Sequence, residues 1–202
     1  MKQFFLQNLQ PKFQSMRKNP RFQTCKMLYL GCFLAGFILF FILGKDFLND
    51  ISLLNVNALR EIRDSTIDKG AFMQYIFLRR MLLLAAGVLA WWWGFGKLYV
   101  YGVWACFGFA MGACMYTCLL RYALKGLFLW FFMYFPHVLF YAVALFCGMI
   151  LSNGVNRSKA DKLKFLWQNS LWVFLLLILL GIGIYTESHM NVSMFQDFLQ
   201  YF

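Results

Sequence analysis

The fold class is decided by residues 98–151, LYVYGVWACFGFAMGACMYTCLLRYALKGLFLWFFMYFPHVLFYAVALFCGMIL, which are apolar almost throughout. The only formally charged residues in this stretch are Arg121 and Lys125. On either side of them, residues 98–120 and 126–151 are each long enough to supply the ~20 apolar residues that a membrane helix needs. The stretch therefore predicts two membrane spans joined by a short turn at 121–125.

Three further stretches have the same apolar character. They are residues 27–44, 76–95 and 165–185. The second of them carries Arg79 and Arg80 near its start, and its uninterrupted apolar part is short. It predicts either a full span whose arginines extend toward the membrane surface or a re-entrant hairpin. Together the five stretches predict an all-α polytopic membrane protein with five transmembrane helices.

The composition of the whole chain agrees with this fold class. Of the 202 residues, 62% are hydrophobic and 13% are charged, against roughly 45–50% and about 25% in an average soluble domain. These values exclude an ordinary soluble domain and a disordered chain. Five of the six cysteines fall inside predicted spans, which also excludes a secreted scaffold held together by disulfides.

The net charge of +11 arises from 19 Lys and Arg against 8 Asp and Glu. Such an excess is typical of nucleic-acid-binding proteins and of the cytoplasmic face of membrane proteins. With five spans and a cytoplasmic N-terminus, 11 of the 19 basic residues lie inside and 8 outside, as the positive-inside rule requires. The charge therefore predicts a cytoplasmic N-terminus, an extracytoplasmic C-terminus, and contacts with membrane lipids and not with nucleic acid.

These assignments divide the chain into five parts. They are a basic cytoplasmic segment at 1–26, the first span at 27–44, an extracytoplasmic amphipathic segment at 45–75, a four-span bundle at 76–185 and an extracytoplasmic tail at 186–202.

The segment 45–75 carries apolar residues at helical steps with charged residues between them, which indicates amphipathic helices. It is too short to form its own core, so it lies on the membrane, packs on the spans or meets a partner. The candidate partner contacts are Leu48, Ile51, Leu59, Arg60, Ile62 and Arg63.

Small residues in the third span predict close helix packing. Gly108 and Gly112 form a GxxxG motif, and Gly102 flanks it on the N-terminal side. Glycine lets two helices approach until their backbones touch. The motif is equally compatible with packing inside one chain and with a homo-oligomer.

Pro136 lies midway through the fourth span and must kink or break it, which frees backbone carbonyl groups. His137 follows at once, and Tyr141 lies one turn later. A polar side chain at this depth costs free energy unless it is bonded. We favour a structural role in which His137 bonds the freed carbonyls over a role in transport or catalysis.

The sequence offers little that would support catalysis. Glu187 borders the fifth span, and no other acidic residue touches a span. There is no HExxH, Walker or nucleophile-elbow pattern. We therefore expect no enzyme activity, no catalytic or metal site and no cofactor, and the lack of acids inside the spans argues against ion-coupled transport.

One resemblance is carried by these membrane motifs. Gly108-Phe109 and Gly112, followed by Lys125-Gly126 and then by Phe135-Pro136-His137, resemble the stage II sporulation protein M family. Many relatives carry a glutamate four residues after the histidine, where this chain has Tyr141.

The resemblance implies a non-catalytic scaffold in the bacterial cell membrane that acts in sporulation, during engulfment. It would recruit and position two septal cell-wall hydrolases, a lytic transglycosylase and an amidase/endopeptidase, for peptidoglycan remodelling. The alternative is a transport component, such as an ABC-type permease subunit or a lipid-handling protein. The broken fourth span and His137 motivate that alternative.

Overall fold

A computed structural model describes residues 20–50, 56–152 and 159–200 of the chain. In these ranges the fold is all-helical without a strand, as predicted. The helices are α1 (Pro20–Asp50), α2 (Val56–Asp64), α3 (Lys69–Trp92), α4 (Gly96–Tyr134), α5 (His137–Leu151), α6 (Lys159–Gln168), α7 (Ser170–Tyr185) and α8 (Val192–Leu199). A π-helical turn, Thr186–Asn191, joins α7 to α8.

Four helical segments are apolar and long enough to cross a membrane within the described ranges. They are Phe22–Leu43, Lys69–Trp92, Gly96–Tyr134 and Ser170–Leu199, and α5 is apolar but shorter. Many large apolar side chains on these segments are exposed, among them Leu82 and Leu171, each at 72%. Lipid would cover such surfaces, so the chain has the make-up of a multi-pass membrane protein.

The long helix α4 reverses direction at Ala123, whose backbone is not helical (φ 50°, ψ −133°). Gly126 consequently packs against the backbone carbonyl of Cys118. The indole Nε1 of Trp130 donates to the carbonyl oxygen of Met111 at 3.2 Å, whereas 19 residues of straight helix would separate them by about 28 Å. Thus α4 consists of two antiparallel arms, 96–122 and 124–134, with the reversal inside the predicted turn.

Glycines hold α1 against the first arm of α4. A Cβ atom added at Gly108 would lie 2.5 Å from the carbonyl oxygen of Tyr29 in α1. A Cβ atom added at Gly112 would likewise clash with the backbone carbonyl of Phe33. A Cβ atom added at Gly36 of α1 would clash with the backbone carbonyl of Phe109 in the first arm. Backbone contact of this kind requires small residues on the facing surfaces.

Helix α3 begins earlier than predicted. The side chain of Asp68 accepts hydrogen bonds from the backbone N–H groups of Gly70 at 2.9 Å and Ala71 at 3.3 Å, which is a strong start for a helix. Lys69 to Tyr75, assigned to the amphipathic segment from sequence, are therefore the first turns of α3. The helix continues without interruption to Trp92 and is not a re-entrant hairpin.

Two buried clusters mark opposite ends of the bundle. At the Leu59 end, Leu59 of α2 packs with Cys118, Leu129 and Leu199. Leu199 belongs to the segment that the sequence assigns to a tail. In the structure this segment is helical and continues from α7 through the π-helical turn.

At the opposite end, which we call the Cys25 end, Cys25 packs with Val100 and Met149. This cluster brings together the start of α1, the start of α4 and the end of α5.

Candidate functional site

Three side chains from distant parts of the chain form a polar cluster. Nη2 of Arg80, in α3, donates to both carboxylate oxygens of Glu187, in the π-helical turn, at 3.0 Å. The hydroxyl of Tyr141, in α5, donates to Oε2 of Glu187 at 2.5 Å. The guanidinium carbon of Arg80 also lies 4.5 Å from the centre of the Tyr141 ring. The cluster thus links α3, α5 and the turn after α7.

The cluster lies deep in the apolar part of the fold. Arg80 stands about halfway along α3, and the side chains of Arg80 and Glu187 are 33% and 18% exposed. Charges at this depth are tolerated only when they are paired and hydrogen-bonded. Gly183 makes room for the cluster, since a Cβ atom there would lie 2.6 Å from the Tyr141 ring.

Side chains of the π-helical turn, which carries Glu187, bond carbonyl groups at the end of α7. The hydroxyl of Thr186 donates to the carbonyl oxygens of Ile182 and Gly183, each at 2.9 Å. The hydroxyl of Ser188 donates to the carbonyl of Tyr185 at 3.1 Å. Single π-helical turns of this kind recur at functional sites.

The helical path is interrupted between α4 and α5 at Phe135-Pro136, and α5 starts at His137. The side-chain amide of Asn191 donates to the carbonyl oxygen of Met133 at 2.7 Å. Asn191, and not His137 as expected from sequence, therefore bonds a carbonyl that the broken helix leaves open.

Two buried polar atoms beside this break have no hydrogen-bond partner among the described residues. They are Nδ1 of His137 and the side-chain oxygen Oδ1 of Asn191. His137 as a whole is only 6% exposed. An unpaired buried polar group costs about 1–3 kcal/mol, so these two atoms are a local free-energy cost of the helix break.

A cavity of about 930 Å³ adjoins the cluster. Its walls come mainly from α3, the first arm of α4, α5 and α7, and they are overwhelmingly apolar. The lining runs along α3 from Phe72 to Trp92, a helical rise of about 30 Å that matches the hydrocarbon core of a bilayer. Its volume lies at the upper end of the roughly 300–1,000 Å³ of small-molecule pockets.

Several polar side chains line the cavity, and five of them belong to the polar cluster or to the helix break beside it. They are Arg80, His137, Tyr141, Glu187 and Asn191. Of the intramembrane residues singled out from sequence, His137 and Tyr141 thus meet at one site, and Pro136 stands at the helix break beside it.

Sequence reasoning missed three members of this site. The sequence predicts that Arg80 extends toward the membrane surface and that Glu187 only borders a span, whereas in the structure the two side chains are paired. Asn191 was placed in the tail. Charge complementarity could have indicated the pair. Arg80 lies in the second apolar stretch and Glu187 follows the fifth, and opposite charges in a low-dielectric environment pair with each other.

The predicted helix-packing glycines divide into two groups. Gly108 and Gly112 lie in the contact with α1 described above. A Cβ atom at Gly102 would meet nothing within 4 Å, so Gly102 takes no part in that contact.

The predicted partner contacts also divide. Leu59 is buried, at 4% exposed, and Ile62 packs beside it, so both face the protein's own bundle. Arg60 and Arg63 are exposed. Ile51 and the side chain of Leu48 lie outside the described residues.

Gln196 of α8 anchors α2 by donating from its amide to the carbonyl of Ile62 at 2.8 Å. Arg63 pairs with Asp64 at 2.8 Å. The hydrogen bond from Arg63 lowers the pKa of the Asp64 carboxyl from its ordinary value.

Within the described ranges, no three His, Cys, Asp or Glu side chains converge as a metal site would require. Searches against protein-family models, curated proteins and solved structures found no match for this chain.

Proposed function

We propose that this protein binds an amphipathic molecule in its membrane-embedded cavity and serves as a lipid-handling or transport component, not as an enzyme. The observation that carries the proposal is the apolar cavity of about 930 Å³ whose wall includes the polar side chains of Arg80, Tyr141 and Glu187. The apolar walls suit a hydrocarbon chain, and these polar side chains suit a polar group. Neither feature alone would define the ligand as amphipathic.

The proposal includes a topology of five crossings. The start of α1 packs at the Cys25 end, and so does the end of α3, where Trp91 Nε1 donates to the carbonyl oxygen of Leu151 at 3.1 Å. Leu199 packs at the opposite end. In this topology the second arm of α4 and α5 together form a broken fourth crossing, and the break puts His137 at mid-depth.

The positive-inside distribution of charge favours a cytoplasmic N-terminus in the cell membrane, with the Cys25 end inside and the Leu59 end outside.

Filling the cavity tests the proposal. Gly148 lines the cavity, and a Cβ atom there meets only a Leu176 methyl group at 3.9 Å. Gly148→Phe should displace the ligand, whereas Gly181→Phe, at an exposed position of α7 with nothing within 4 Å, should not. Native mass spectrometry of protein purified in mild detergent reads out the lipid retained. Equal lipid occupancy in the two variants would overturn the proposal.

A second candidate function follows from the resemblance to the stage II sporulation protein M family. In this proposal the protein is a scaffold for a lytic transglycosylase and an amidase/endopeptidase during engulfment. The supporting observation is that α2 is fixed to the bundle by buried Leu59 and by Gln196 while Arg60 and Arg63 remain exposed. A rigid, charged helix at the outer end would suit docking of a soluble partner.

Reversing the two charges tests the scaffold. Arg60→Glu with Arg63→Glu should abolish co-purification of the hydrolases from sporulating cells, and Lys125→Glu at the exposed hairpin turn serves as the control. If the hydrolases co-purify with the double variant as they do with the unaltered protein, docking on α2 fails.

A further inference from the structure

We propose that Arg79 and Tyr75, on the lipid-facing side of α3, bind the phosphate group of an anionic phospholipid. Neither residue lines the cavity, so this site is separate from the one in the proposed function. Failure of either proposal leaves the other standing.

The two neighbouring arginines of α3 differ in what balances their charge. Arg80 faces the bundle and is paired with Glu187 at 3.0 Å. Arg79 is exposed, and in the part of the chain that the structure describes no carboxylate forms an ion pair with it. An arginine side chain keeps its charge in proteins, and a charge beside hydrocarbon is costly unless it is paired. The counter-ion of Arg79 must therefore come from its surroundings, and those are lipid.

Tyr75 holds the guanidinium group of Arg79 in position. The guanidinium carbon lies 4.8 Å from the centre of the Tyr75 ring, above its face. Because the ring covers one face of the planar guanidinium, the N–H groups along the edge of that plane stay available. Such N–H groups match two oxygens of a phosphate in a bidentate contact. The Tyr75 hydroxyl can donate a further hydrogen bond.

The height of the guanidinium group in the membrane suits a lipid phosphate. Trp92 and Trp93 are exposed at the end of α3, and tryptophans mark the edge of the hydrocarbon core. Arg79 lies 13 positions before Trp92, a rise of about 20 Å in a core of about 30 Å. Its side chain extends toward Tyr75, one turn nearer the start of α3. This brings the charge to within about 5 Å of the opposite edge.

The charge balance of the site favours an anionic lipid over a zwitterionic one. Arg79 supplies one positive charge, and the phosphate of phosphatidylglycerol supplies one negative charge. A zwitterionic phospholipid adds an ammonium group, which would leave a net positive charge beside the apolar surface. Leu82, three residues after Arg79 and 72% exposed, offers apolar surface to the lipid chains.

Two phospholipids with identical chains test the inference. Dioleoyl phosphatidylglycerol is anionic, and dioleoyl phosphatidylcholine is zwitterionic. Each is titrated into the full-length protein in mild detergent, and native mass spectrometry gives the bound fraction. We expect phosphatidylglycerol to bind at least about tenfold more tightly. Equal affinities for the two lipids would overturn the inference.

Matched variants connect that preference to the site. Arg79→Leu should weaken phosphatidylglycerol binding about tenfold or more, the effect of a lost charge-assisted contact. Lys125→Leu, which removes the same charge at the exposed hairpin turn, should not. Tyr75→Leu should weaken binding about twofold to fivefold, whereas Phe77→Leu, on the same helix and equally exposed at 51%, should not. Unchanged affinity in both site variants would overturn the inference.

Two further measurements exclude a folding effect and a free anion. Arg79→Lys keeps the charge but loses the bidentate contact, so its affinity should lie between those of the unaltered protein and Arg79→Leu. An affinity no higher than that of Arg79→Leu, with an unaltered Trp fluorescence melting curve, would contradict a contact through charge. A tenfold excess of inorganic phosphate over phosphatidylglycerol should not displace the lipid. Displacement would assign the site to free phosphate and overturn the lipid.

Discussion

Substituting Gly108 by alanine should destabilise the contact between α1 and α4. The added Cβ atom would lie 2.5 Å from the carbonyl oxygen of Tyr29 and 3.1 Å from a carbon of its ring. The first distance is 0.9 Å short of the 3.4 Å at which ordinary van der Waals contact begins. The obstructing oxygen is backbone, so relief requires the two helices to separate. Overpacking of this kind costs about 1–3 kcal/mol.

Gly102→Ala is the matched control on the same arm, since nothing lies within 4 Å of its added Cβ atom. Replacing an unconstrained helical glycine by alanine stabilises a helix by up to about 1 kcal/mol. The two substitutions are chemically identical but should shift stability in opposite directions.

Reversible unfolding in mixed detergent micelles, followed by Trp fluorescence, measures both variants. Trp104 is a suitable reporter because its ring packs edge-on against Tyr29 at a centroid distance of 6.0 Å, inside this contact. Equal stability of Gly108→Ala and Gly102→Ala would refute the backbone contact between α1 and α4.

Three further predictions concern the polar cluster, the α2 anchor and the topology. Arg80→Leu should lower the free energy of unfolding by up to about 3 kcal/mol by leaving Glu187 unpaired, and adding Glu187→Leu should restore most of it; a double variant no more stable than the single one would argue against the ion pair. Leu59→Ala should cost about 2–5 kcal/mol in the same unfolding assay, and a loss well under 1 kcal/mol would mean that α2 does not pack on the bundle. In spheroplasts, a membrane-impermeant maleimide should label Ser65→Cys and not Phe95→Cys, and the reverse pattern would invert the proposed orientation.

The sequence predicts the helical hairpin of α4 well because its two charged residues interrupt an otherwise apolar stretch, and the reversal at Ala123 falls between them. It predicts the start of α3 less well. There residues 69–75 fall inside the predicted amphipathic segment, while the side chain of Asp68, which caps the helix, stands just before them.

The polar cluster could not be predicted from sequence in the same way. An amphipathic helix shows which face is buried, but α7 is apolar almost throughout and α3 is apolar on all sides from Met81 to Trp92, so their rotation is fixed only by packing. The partners Arg80 and Glu187 are 107 positions apart, and only the packed bundle brings them together. For the same reason, spacing did not distinguish Gly102 from Gly108, because the difference lies in the facing helix.

Photo-crosslinking from inside the cavity tests the central claim most directly. A photoreactive amino acid replaces Leu84, which lines the cavity, or Leu82, which lies on the same helix and is 72% exposed. The account predicts that lipid crosslinking from position 84 is saturable, while crosslinking from position 82 increases with bulk lipid. Crosslinking from position 84 that is absent, or that follows bulk lipid as position 82 does, would contradict a specific ligand site in the cavity.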